Sequence, residues 1–175
     1  RVPEKYGTML ALRVINANFR LGGMKQAGAL AKYAADSKVK AEHRSEALFG
    51  LGIWGRPHDR DRVMGVYRPL GARSGGIAAN ALKPVINGIL ATAPEVVRLA
   101  AIECVVQLKL RESLPTVREL AADGAQGSGV RSAALKALAA LKSPALTGAI
   151  EAALAQDNQD LRASAISLVG SLKTP

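Results

Sequence analysis

His58, Asp59 and Asp61 fall within one four-residue stretch, and such a cluster is where a general base or a metal site would first be sought. A catalytic group needs partners at hydrogen-bond range, and a metal needs three or four ligands at workable spacing. His43 is the one other histidine, and Arg56, Arg60 and Arg62 would repel a cation. Asp59-Arg60-Asp61-Arg62 therefore reads as a salt-bridged helix start, with a short helix expected over 60–67. Cys104 is the single cysteine, so neither an internal disulfide nor a cysteine-based metal centre can form, and its apolar setting makes it a small buried hydrophobe. No catalytic, cofactor-binding or metal site is assigned, and carboxylates are too sparse in the first half to suggest an enzyme.

A different pattern is far more regular. Aligning Arg44, Arg98, Arg131 and Arg162 puts Ala47, Ala101, Ala134 and Ala165 three positions later. Leu48, Ile102, Leu135 and Ile166 come next, then Leu51, Val105, Leu138 and Val169, and then Trp54, Leu108, Leu141 and Leu172. Offsets of 3, 4, 7 and 10 share one face of a helix with 3.6 residues per turn, so each copy is an amphipathic helix whose alanine marks a close contact. The arginines sit where they would stitch helix starts and turns together through nearby carboxylates and carbonyls, and they are not assigned as site residues.

Leading helices fill the intervals. The expected elements are 4–16, stopping at Asn16-Ala17-Asn18 before a Gly22-Gly23 turn; 24–35; 39–54; 77–91, kinked or started by Pro84; 94–108; 113–122; a helix opened by Ser143-Pro144; and 157–172. Strand signals are missing. The arginine spacings are 54, 33 and 31 residues, and the excess in the first matches 55–76, which reads as an insertion between repeat units. The expectation is one all-α domain over 1–175, an alpha-solenoid (alpha-alpha superhelix) of paired helices.

At this point the chain resembles the HEAT-repeat family, whose second helix commonly opens hydrophobic-Arg-x-x-Ala, as Val97-Arg98, Val130-Arg131 and Leu161-Arg162 do. His43-Arg44 departs only at the hydrophobic position. The resemblance implies HEAT-like helix pairs in an armadillo-like superhelix, serving protein binding as a scaffold. A narrower resemblance rests on Arg13-Val14-Ile15-Asn16-Ala17-Asn18-Phe19-Arg20-Leu21-Gly22-Gly23, then Arg44-Ser45-Glu46-Ala47-Leu48 and Trp54, then Asp59-Arg60-Asp61-Arg62 through Leu70. These look like the HEAT section of large secreted planctomycete-type bacterial proteins that pair a sugar-dehydrogenase-like propeller with a c-type haem domain. That resemblance implies a module bridging neighbouring domains in a redox-linked periplasmic or secreted protein; otherwise a cytoplasmic setting is expected. No Cys-x-x-Cys-His is present, so this chain cannot itself attach such a haem.

Composition frames the partner. The formal net charge is +10, with 15 Lys and Arg against 6 Asp and Glu in residues 1–91 but 9 against 8 in 92–175. All six aromatic residues fall within the first 67. A basic first half suits an acidic protein, a neighbouring domain, an anionic surface or nucleic acid. Dispersed rather than clustered basic residues favour the protein reading, with a nucleic-acid-binding solenoid as the alternative. No apolar run is long enough to span a bilayer, and Arg1-Val2-Pro3-Glu4 has neither a starting methionine nor a signal-peptide pattern, as expected of a mature product or a piece of a longer protein. The oligomeric state is not specified. Insertions in repeat arrays often belong to the binding face. The candidate surface is accordingly Arg56, His58, Arg60, Arg62, Tyr67, Arg68 and Arg73, with Asn16, Asn18, Phe19 and Arg20 from the preceding loop.

Overall fold

Apolar faces that recur every helical turn cannot be buried by one helix, and a computed structural model shows how this chain buries them. It describes residues 7–172. The expected helix start at 4–6 and the Arg1–Glu4 stretch lie outside the described residues. Ten α-helices follow: α1 (Gly7–Leu21), α2 (Met24–Ala35), α3 (Ala41–Gly52), α4 (Gly76–Leu82), α5 (Ile86–Thr92), α6 (Glu95–Gln107), α7 (Leu114–Ala122), α8 (Ser128–Ala140), α9 (Leu146–Leu154) and α10 (Gln159–Leu172). Helices α3, α6, α8 and α10 pack successively against one another, and α2, α4 with α5, α7 and α9 form a second layer beside them. Helix α1 packs on both α2 and α3. This two-layer stack of helix pairs is an alpha-solenoid.

The repeated residues fill the seam. Ala47, Ala101, Ala134 and Ala165 are all completely buried, which lets neighbouring helices approach closely. Leu48, Ile102 and Leu135 are buried too, whereas Ile166 is 62 % exposed on α10, beyond which no described helix lies. One continuous core runs from Ile15 to Ala165. Cys104 is part of it: its thiol donates to the Leu48 carbonyl oxygen at 3.0 Å, and burial, aided by Glu103, pushes its pKa up to about 12.

The repeat arginines act as stitches, in two grades. Arg44 and Arg131 are buried, and each donates from Nε to the carbonyl ten residues earlier, Ala34 at 2.7 Å and Ala121 at 3.1 Å. Those carbonyls lie at the C-terminal ends of α2 and α7, where the helix dipole favours a cation. Asp36 and Asp123 cap the same two helix ends. Arg98 instead reaches Gln126 and the Ala91 carbonyl, and Arg162 makes a surface pair with Asp157 at 3.5 Å.

Three expected details differ. The first helix continues through Asn16-Ala17-Asn18 to Leu21; the Asn16 side chain bonds across to Asp61, and that of Asn18 bonds back along its own helix to the Val14 carbonyl. Gly22, at φ 72°, then ends it in a left-handed cap that glycine adopts without strain. Pro84 breaks the expected 77–91 helix into α4 and α5 rather than kinking it. Residues 60–67 form no helix; the chain turns back on itself through an isolated antiparallel bridge between Arg60 and Tyr67.

Helices α6 and α8 end alike. Lys109 (φ 55°) and Lys142 (φ 50°) sit in the left-handed region eleven residues after their arginines. Leu110 N–H bonds the Val105 carbonyl at 2.9 Å, and Ser143 N–H bonds that of Leu138 at 2.8 Å. A β-carbon there is strained by about 1–2 kcal/mol. Replacing either lysine by glycine should therefore stabilise the fold by about 0.5–1 kcal/mol despite glycine's greater unfolded entropy, read as a raised thermal midpoint. An unchanged or lowered midpoint in both variants would refute the strain. Cys104 should be inert to aromatic disulfide reagents in the native protein and react stoichiometrically in denaturant.

Candidate functional site

The segment 53–75 connects α3 to α4, and its shape follows from four anchors. At its neck the backbones of Gly55 and Gly75 touch; a β-carbon on Gly55 would lie 3.2 Å from the Gly75 nitrogen, so a side chain there would force the neck open. Arg73 is the second anchor. Its Nε donates to the Trp54 carbonyl at 2.8 Å, and its guanidinium lies 4.1 Å from the centroid of the Trp54 ring and 4.5 Å from that of Phe19. Phe19 and Trp54 meet edge to face at 5.8 Å, both buried. Burial lowers the Arg73 pKa from its usual value, and the ring faces offer the charge a partner where its Nη2 has no hydrogen-bond acceptor.

Arg62 is the third anchor. It forks onto Glu46 of α3 at 2.8 and 2.9 Å and lies over the Phe49 ring at 3.9 Å, and the Glu46 carboxylate raises its pKa. His58 packs edge-on against the same ring. The loop thus covers the flank of α3 that Phe49 would otherwise leave open to water.

Asp61 is the fourth anchor and the best connected side chain in the loop. Its carboxylate is buried and accepts from the Val63 amide at 3.0 Å, the Met64 amide at 2.8 Å and Asn16 Nδ2 at 3.0 Å, and Arg20 lies 3.4 Å away. The Met64 amide is the strongest influence holding its pKa below the usual carboxylate range; burial opposes it, and Asn16, Val63 and Arg20 reinforce it. Asp61 bonds these amides as a helix cap would, yet the turn stops at Gly65, whose φ is 70°, and no helix follows. Asp61 closes a tight turn, with Gly65 N–H returning to its backbone carbonyl at 2.8 Å, and it ties that turn to α1.

Between α1 and this turn runs a groove of about 510 Å³. Arg13, Asn16, Ala17, Arg20 and Leu21 line it from α1, and Asp61, Val63, Met64, Arg68 and Leu70 from the loop. Arg20 Nη2 bonds the Arg68 carbonyl at 3.1 Å, crossing the floor. The guanidinium groups of Arg13 and Arg68 have no hydrogen-bond or ion-pair partner among the described residues. Leu21 is 73 % exposed and Met64 58 %.

The eleven candidate surface residues divide accordingly. Phe19 is core, so it is corrected from surface to interior; its ring closes the apolar face of α1 that also carries Ala11 and Ile15. Asn16, Asn18, Arg20, His58, Arg60, Arg62 and Arg73 spend their side chains within the fold, Arg60 on the Gly65 carbonyl. Arg56, Tyr67 and Arg68 point outward and are exposed. The sequence reading missed Arg13, Leu21, Met64 and Leu70. The four-residue spacing of Arg13, Ala17 and Leu21 along the non-core face of α1 is a signal for the first two of these, whereas nothing local marks Met64 or Leu70. Among the described residues no three of His, Cys, Asp and Glu gather closely enough to hold a metal ion, and none of the helices is long and apolar enough to cross a membrane.

Because Asp61 has a folded pKa below its unfolded value of about 3.9, it adds stability above that pH, and the contribution is lost as pH falls through the folded value. Asp61→Ala should free the turn at a local cost of about 1–3 kcal/mol, leaving the array folded. Protection of the Val63, Met64 and Gly65 amides from exchange should then fall at neutral pH, as it should in the unaltered protein only once acid protonates Asp61. Slow exchange at these amides in the variant would refute the hub.

The family of HEAT repeats matches residues 82–170, which is 89 of the 175 residues and covers the helix pairs that follow the loop. No curated protein and no solved structure matches the chain. With its two-layer stack, buried seam alanines and stitched arginines, the chain belongs to the HEAT-repeat family.

Proposed function

We propose that the chain is a non-catalytic scaffold for protein interaction, and that its contact face is the groove between α1 and the 53–75 loop. One observation carries the reading: a long surface loop is tied down from the inside by Asp61, Arg62 and Arg73 while Met64, Val66, Tyr67 and Arg68 stand exposed on its outer side. Ordering a loop costs backbone entropy of about 1–2 kcal/mol per residue, and anchors that fix its shape make sense where the outward face is used. HEAT repeats generally serve as interaction scaffolds, which supports the same reading. A neighbouring domain of a longer chain would meet this face as readily as a separate partner. A bridging role beside propeller and haem modules, implied by the narrower resemblance, is one form of that arrangement. It draws no support from the matched repeats, which say nothing of flanking modules.

The basic first half favours one second reading, nucleic acid. The two separate on what becomes attached to the groove. A photo-crosslinking residue at Met64, with Ala163 on α10 as the distant control, should give protein adducts in cells from Met64 alone, and Arg13→Glu with Arg68→Glu should abolish them. Adducts that vanish with nuclease, or equal labelling from both positions, would overturn the proposal. A gel shift with duplex and single-stranded DNA over a salt series completes the comparison, since phosphate-driven binding must weaken steeply with salt.

A further inference from the structure

The groove's lining narrows the chemistry of its occupant. Taken together, α1 and residues 53–75 carry seven arginines against two aspartates, a net charge of +5. Asp61 is already enclosed by its own donors, and Asp59, the other carboxylate, is exposed on the loop. Arg20, Arg60, Arg62 and Arg73 are committed to carbonyls, rings or Glu46. Arg13 and Arg68 alone line the groove with free guanidinium groups, one on each wall. Between them the lining is aliphatic: Leu21 and Met64 are exposed, and Leu70 is half-buried against the core.

Four classes of occupant can be weighed against this lining. A purely apolar segment would cover the aliphatic floor but strip water from two cations without replacing it. A second copy of this chain carries its own charge of +10 and would bring arginine to arginine. Nucleic acid would satisfy the arginines, yet no aromatic ring lines the groove for bases to stack upon, and phosphate would lie against aliphatic carbon. A peptide with carboxylates flanking aliphatic side chains meets both demands, because a planar guanidinium can take a carboxylate through two parallel bonds.

Resting on the reading of the groove as a protein contact face, we propose that it binds an acidic, leucine-rich segment of a partner protein, with carboxylates on Arg13 and Arg68 and aliphatic side chains over Leu21 and Met64. The volume of about 510 Å³ has room for several side chains, which suits a single segment, whether of a separate partner or of a neighbouring domain. Arg20 is a positioning residue here: it holds Asp61 and the Arg68 carbonyl, and so sets the spacing of the two walls.

Fluorescence anisotropy with the full chain and short labelled peptides tests this directly. One peptide alternates glutamate and leucine, a second replaces every glutamate by glutamine, and a third by lysine; duplex DNA and phosphatidylserine vesicles serve as other polyanions. The glutamate peptide should bind about tenfold or more tightly than the glutamine peptide, and weaken as salt rises. Arg13→Glu with Arg68→Glu, at an unchanged melting temperature, should lose the glutamate peptide by about tenfold or more and gain the lysine peptide. That gain is a readout no unfolded variant could produce. Equal binding of the glutamate and glutamine peptides, or charge reversal without a swap of preference, would overturn the acidic occupant. Tighter binding of DNA or vesicles through the same two arginines would overturn it as well. Protein adducts at Met64 combined with no carboxylate preference would sink this inference alone, whereas the absence of both would remove the scaffold reading too.

Discussion

A guanidinium keeps its proton at any ordinary pH, so an arginine drawn into the interior has to be given oxygen or an aromatic face in place of water. That constraint governs this molecule at both of its scales. Within the repeats, Arg44 and Arg131 turn back ten residues to the last carbonyls of the preceding helix and so fix the angle at which the two helices of a pair meet. In the loop, Arg73 does the same to the Trp54 carbonyl just past the end of α3, then lies against the Trp54 and Phe19 rings. One chemical device builds the array and fastens the departure from it. The departure leaves at the same register: Trp54 occupies the position held by Leu108 and Leu141 in the next two units. The chain that follows those leucines turns through a left-handed lysine, whereas the chain that follows Trp54 passes Gly55 and leaves the stack.

The array was legible in the sequence because its determinants are local and periodic. An alanine three residues after an arginine, with aliphatics at the next helical offsets, states which face of the helix is buried, and Ala47, Ala101, Ala134 and Ala165 are completely buried in the structure. Periodicity reports a buried face; it does not report what covers it. Ile166 has the same place in its copy as Leu48 and is nevertheless exposed, since burial is a property of the neighbour as much as of the residue.

The loop was illegible for the opposite reason. Asp59-Arg60-Asp61-Arg62 carries alternating charge that fits a helix start, and Asp61 does accept from two amides of its own turn as a capping residue would, but Gly65 at φ 70° ends that turn after a single bond and no helix propagates. Asn16 ties the same carboxylate to α1 from forty-five positions away in the chain. No local window contains both partners. The same distance hides the roles of the arginines: Arg20 and Arg13 stand two helical turns apart on α1, similar in type, and only the returning loop commits one to Asp61 and leaves the other free.

That division bears on how a basic surface should be read. Net charge counts every arginine equally, yet among the seven of α1 and the loop it is the committed ones that determine where the free ones stand. Arg62 is held by Glu46 and the Phe49 ring, Arg73 by Trp54 and Phe19, Arg20 by Asp61, and each such contact removes a freedom from the loop rather than adding a charge to its face. If the groove is the contact face proposed above, a partner would meet a surface shaped by these five interior contacts, with Arg13 and Arg68 as the groove's free cations. On that proposal affinity would come from preorganisation, since the loop's ordering entropy is lost when the protein folds and not again on docking.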